Sequence, residues 1–138
     1  MASVLRSPTL DVEAAVIAYL RPLLPAGAVV ATDVPKTTRG ELAFPARMVR
    51  VTRTGGPAWS PAHDGPSMLV ECWAAGGPQA WQLAAACRDA MLSLDNTLVG
   101  AVWLSHRAET SGPVNYPDPR TPNPRYQFVH QLTARAAG

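Results

Sequence analysis

The side chains that could do chemistry in this chain are few and scattered. Its three histidines are His63, His106 and His130. His63 stands beside Asp64, and Tyr116 stands two residues before Asp118, so each pair could be imagined as an acid–base couple. Such work needs groups held within hydrogen-bond reach on rigid supports, and sequence neighbours in proline-rich segments are poorly placed for it. No HxH or HExxH spacing is present, so a metal site is not expected. One exposed histidine (His63) and two on sheet faces (His106 and His130) is the expected state. The serines lie in no G-x-S-x-G context. The tripeptide GGP occurs at Gly55–Pro57 and Gly76–Pro78. The second opens a predicted helix, and helix N-termini attract anions. Without GxxxxGK[ST] or GxGxxG it reads as a helix start. Cys72 and Cys87 are too few for a disulfide scaffold and match no zinc or redox spacing. Each falls on the apolar side of a predicted element, so both are expected to be buried free thiols. The expectation is a protein that is not an enzyme and uses no cofactor or metal.

The bulk composition points the same way. A chain of 138 residues is one domain in expectation, large enough for a core without staples. Charged residues make up only 16%, against about 25% in ordinary soluble domains. The net charge is +2, and Lys36 is the only lysine. That is a weak case for a nucleic-acid footprint, and no specific nucleic-acid binding is expected. The arginine bias has two readings: codon usage of a GC-rich genome, or bidentate contacts at interfaces. No apolar run reaches transmembrane length, and the N-terminus lacks the apolar core of a signal peptide, so synthesis in the cytoplasm and no membrane are expected.

The elements that must position these residues are punctuated by proline. Helix one is predicted from about Pro8 to Leu20 or Leu24, with Ser7 or Asp11 as cap and Pro22 as its stop or kink. Val12, Val16, Tyr19, Leu20 and Leu23 form its apolar stripe. Strands are predicted over Gly27–Val34, Ala46–Arg53, Ser67–Ala74, Gly100–Arg107 and Arg125–Arg135, the second and third pairing as an antiparallel hairpin. A second helix opens at Gly77–Pro78 and stops at Asp95–Asn96, with Leu83, Cys87, Ala90, Met91 and Leu94 facing the core. The order is α-β-β-β-α-β-β. The fold class expected is α+β: a mixed, mainly antiparallel sheet of about five strands, two helices packed on one face, and long proline-rich loops.

Those loops, Val34–Pro45, Thr54–Pro66 and Ala108–Pro124, each run to a dozen or more residues, where compact domains usually use about 4–6. They carry Phe44, Trp59 and Tyr116. Proline lowers the entropy lost when a loop is ordered on docking, so stiff arms of this kind suit a protein that meets several neighbours. Arg47, Arg50 and Arg53 project to both faces of the second strand. Two uses stay open for them: charge that deters edge pairing, or salt bridges to another subunit. The candidate subunit-interface residues are Arg47, Arg50, Arg53, Trp59, Tyr116, Asp118, Arg120 and Arg125.

Four segments, taken in order, resemble the tail terminator proteins of long-tailed phages, particularly those of actinobacteria. They are PTLDVEAAVIAYLRPLLP, FPARMVRVTRTGG, MLVECWAAGGPQAWQLAAACRDAM and GPVNYPDPRTPNPRYQFVHQLTAR. Pro45, Arg47, Val49, Val51, Arg53, Gly55 and Gly56 match the family's P-x-R-x-V-x-V-x-R-x-G-G strand. Val70, Glu71, Trp73 and Ala74 match its V-E-x-W-A strand. Pro117, Asp118, Pro119, Pro124, Arg125, Tyr126 and Gln127 match its P-D-P…P-R-Y-Q segment. The resemblance implies a structural virion protein: a homohexameric ring on the head-proximal end of the tail tube, which ends tube polymerisation and meets the head connector. The implied partners are further copies of itself, the major tail tube protein and head–tail connector proteins. The alternative is another neck or head-completion protein.

Overall fold

The computed structural model describes residues 9–138. The first helix, α1, spans Val12–Leu20. It is capped by Asp11, whose carboxylate accepts from the Ala14 N–H at 3.1 Å, satisfying one of the unpaired donors of the first turn. Pro8 and Ser7 lie outside the described residues. Pro22 acts as the expected stop, since the chain leaves the α-helix at Leu20 and tightens into one 3-10 turn over Arg21–Leu23. The second helix, α2, spans Gly77–Leu92 with Pro78 in its first turn. After Ser93, Asn96 takes a positive φ of 46° and turns the chain back, a conformation that Asn tolerates better than most residues.

Among the described residues six strands form one mixed sheet: β1 (Val29–Ala31), β2 (Arg47–Arg53), β3 (Ser67–Ala74), β4 (Thr97–Val99), β5 (Val102–Asn115) and β6 (Arg125–Ala136). Their order is β1-β2-β3-β6-β5-β4. Only the β1–β2 pair is parallel. The α+β class, the β2–β3 hairpin and both helices on one face are therefore as the sequence reads. Three details differ. The sheet has six strands, because three residues of β4 follow the Asn96 turn, too short to leave a periodic signal. β1 keeps three of the eight residues expected. The largest change is β5, which continues through Ala108–Asn115, a segment expected to be loop. Gly112 and Pro113 looked like breakers, but three register shifts against β6 absorb the irregularity. β4 pairs only with Val102–Leu104, so from there on β5 is an edge strand. Such a strand tolerates the missing proline N–H.

The helix side of the sheet holds the main core. Val16, Leu20, Leu83, Cys87 and Met91 from the helices meet Val49, Val51, Val70, Cys72, Phe128 and Leu132 from the strands. Leu23, placed on the stripe by spacing, is instead 53% exposed, because the 3-10 turn rotates it off the α-helical face. A smaller cluster lies on the opposite side. Here Met48, Trp73 and Val34 are buried against Phe44 and Leu42 from the chain between β1 and β2. Trp73 and Phe44 have ring centroids 5.3 Å apart in a tilted arrangement. The sheet is thus covered on both sides, by helices on one and by connecting segments on the other.

Candidate functional site

Residues 116–124 fold back over the side of the sheet away from the helices. Arg125 starts β6 on that side, and its guanidinium organises what lies above it. Nη1 donates to Glu71 Oε2 at 2.9 Å, and Nε donates to the Tyr116 carbonyl at 2.8 Å. Glu71 also faces Arg50 at 3.6 Å. Asp118 accepts from the Trp73 indole at 3.2 Å and from the Arg120 backbone N–H at 2.9 Å. Arg120 grips the same carboxylate through Nε at 3.0 Å and Nη2 at 2.9 Å. Glu71, Asp118 and Arg125 are buried. The Arg120 fork, followed by its backbone N–H and by Arg125, outweighs desolvation and holds the Asp118 carboxyl down at about 2. Buried charge is costly unless paired and fully hydrogen-bonded, and here each carboxylate faces two guanidinium groups. Tyr116, 55% exposed, lies against the Arg125 guanidinium at 5.1 Å and presents its other surface to solvent.

A second group sits between β2 and β3. Arg53 donates to both oxygens of Asp64, at 2.6 and 2.8 Å, and to the carbonyls of Gly55 and Gly56. Its backbone N–H donates to Glu13 of α1 at 2.7 Å. Asp64 then pairs with Ala134 through two backbone hydrogen bonds. Hydrogen bonding to Arg53 is the main cause that lowers the Asp64 carboxyl below its usual range. A cleft of about 290 Å³ is lined here by Thr9, Leu10, Ser60, His63 and Asp64 among others. Ser60 Oγ lies 2.9 Å from His63 Nδ1, but it also accepts the N–H groups of Ala62 and His63. The pair is a side-chain-closed turn. The Arg107 guanidinium stacks over the Trp59 ring at 3.3 Å from its centroid.

The helix side carries a polar chain that sequence reasoning missed. Arg88 of α2 donates to both oxygens of Glu109 at 2.6 and 2.8 Å. Glu109 Oε2 lies 2.8 Å from His130 Nε2, and His130 Nδ1 lies 3.1 Å from His106 Nε2. Glu109 can only accept, so His130 carries its proton on Nε2 and takes the His106 proton at Nδ1. Arg88 and then His130 hold the Glu109 carboxyl at about 2, while burial pushes both histidines below their usual value. Among the described residues no group of three or more His, Cys, Asp or Glu is arranged to hold a metal ion.

The eight candidate residues therefore divide. Arg50, Tyr116, Asp118, Arg120 and Arg125 are brought together around Glu71 and Trp73. Arg53 and Trp59 belong to the β2–β3 connection. Arg47 stands apart from both groups, half-buried at the start of β2. Asp118 and Arg125 are engaged inside the chain, so residues 116–124, between β5 and β6, form a strap folded onto the sheet. Glu71, the one charge within the apolar run MLVECW, was the available sign that a cation would be buried opposite it.

Set beside known proteins, this chain falls in a class of phage structural proteins. The family described as phage tail termination protein matches residues 8–136, and the chain belongs to that family. No curated protein matches it. The family is one of tail structural proteins, and membership implies a location in the virion tail and contact with other tail and head proteins. No described helix is long and apolar enough to cross a membrane.

Proposed function

We propose that this protein caps the head-proximal end of the tail tube as a homohexameric ring, ending tube polymerisation and forming the surface on which the head connector sits. The observation that carries this reading is the family match along nearly the whole chain. The unlike edges of the subunit support it. A closed ring of identical subunits needs two different, complementary patches on each copy. At the β1–β2 edge, α1 and the 3-10 turn after it take up strand backbone groups: Glu13 accepts from the Arg53 N–H, and Arg21 of the turn donates to the Val30 carbonyl at 3.1 Å. At the other edge, β5 runs from Ser105 to Asn115 beyond the reach of β4. Exposed Tyr116 and half-exposed Trp59 supply rigid aromatic contact area of the kind that anchors interfaces.

Deleting the gene tests the reading. Particles lacking the chain should accumulate tail tubes of uncontrolled length without heads, and purified protein added to growing tubes should stop them. Tubes of normal length that merely fail to join heads would overturn it in favour of a head-completion protein.

A further inference from the structure

The chain has two cysteines in 138 residues, and the fold sets them against each other. Cys72 lies on the helix-facing side of β3 and Cys87 in the middle of α2. Both side chains are fully buried and free. Their Sγ atoms are 3.8 Å apart, about 1.8 Å beyond a disulfide bond length. Ala80 and Ala84, buried on the same side of α2, let the helix lie close to the sheet around them.

We propose that Cys72 and Cys87 form an oxidation site at which hydrogen peroxide joins α2 to β3 through a disulfide. One thiolate attacks a peroxide oxygen. The O–O bond breaks, leaving a sulfenic acid and a hydroxide that takes up the thiol proton as water. The second sulfur attacks the sulfenic sulfur, the S–S bond forms, the S–O bond breaks, and a second water leaves. Two thiols become one disulfide, and the peroxide is reduced to two waters. Burial sets the pace. Desolvation pushes the Cys72 thiol well up, so thiolate is scarce, and the reaction proceeds through local opening of α2. The bond then restricts the unfolded chain across the segment from β3 to α2. The proposal stands on the fold alone and is independent of ring formation.

The test uses the full reduced chain, incubated with hydrogen peroxide without denaturant. Its intact mass should fall by about 2 Da as two hydrogens are lost. Chymotrypsin cuts at Trp73 and Trp81, between the cysteines, so its digest should contain a disulfide-linked pair of peptides. The thermal midpoint should rise by roughly 5–10 °C, given the usual worth of a loop this size. Dithiothreitol should reverse mass and midpoint together, and Cys87→Ser should show neither change under the same peroxide. Oxygen added to the cysteines one by one, linkage only between two copies, or linkage only in urea would each overturn the proposal.

Discussion

Trp73 and Asp118 are 45 positions apart in sequence, and the indole Nε1 of the first donates to Oδ2 of the second at 3.2 Å. This bond ties the segment before β6 to the centre of the sheet. Because Asp118 also holds Arg120 and lies 3.9 Å from Arg125, removing its carboxylate leaves a buried indole N–H without its acceptor and Arg125 short of a counter-charge. Asp118→Ala should therefore cost about 3 kcal/mol. Asp118→Asn keeps an acceptor for Trp73 but loses the charge, and should cost roughly half that. Urea denaturation followed by fluorescence checks both. Midpoints equal to the parent's would mean the strap is held by something else.

Arg125 and Glu71 should behave as a coupled pair. Arg125→Met leaves Glu71 buried beside Arg50 alone, and should cost about 3–5 kcal/mol, as broken buried ion pairs do. Glu71→Gln in the same background should then cost far less than it does in the parent. A double-mutant cycle read by chemical denaturation should give a coupling of about 1–3 kcal/mol. Strict additivity would show that the 2.9 Å contact carries no net interaction.

Much of this architecture was legible because spacing and punctuation agree. Helical periodicity marked α1 and α2, and alternation marked β2, β3 and β6. What stayed hidden has a physical cause in each case. Gly112 and Pro113 look like strand breakers until an edge with register shifts accommodates them. β4, at three residues, is too short for alternation to register. The Glu71–Arg125–Asp118 cluster joins residues far apart in sequence, and no spacing rule reports a contact that only the sheet order creates. The Arg88–Glu109–His130–His106 chain was hidden for the same reason. Its two histidines were readable as sheet-face residues, but their partners were not.

That chain predicts a pH dependence with a definite sign. Burial lowers both His106 and His130, so the unfolded chain binds protons that the folded chain refuses. Stability should be full above about pH 6.5, the ordinary histidine value, and should fall as the pH drops below it toward the lowered folded values. Glu109 and Asp118, each held at about 2, act in a separate window. Their contribution is present above the ordinary carboxylate range and is lost as the pH falls through it toward 2. Denaturation at pH 7.5 and 5.5 isolates the histidine window, and His106→Gln should reduce the slope there. A free energy of unfolding that does not change between those two pH values would contradict the assignment.

Tyr116 gives the cleanest separation of folding from assembly. Arg120 is unsuitable, because its fork holds Asp118 and its loss would loosen the strap. Tyr116 is 55% exposed and touches the cluster mainly by lying against Arg125, while the bond that Arg125 makes to residue 116 goes to the backbone carbonyl. Tyr116→Ala keeps that carbonyl. It should change the free energy of unfolding by no more than about 0.5–1 kcal/mol, as exposed substitutions do. If the ring and its neighbours use this aromatic as an anchor, the same change should cost about 2 kcal/mol of contact energy at each copy of the interface. Repeated around a ring, that loss should sharply lower the yield of finished tails in complementation. Full infectivity from a normally folded Tyr116→Ala protein would remove this residue from the interface and shift attention to Trp59 and the uncovered length of β5.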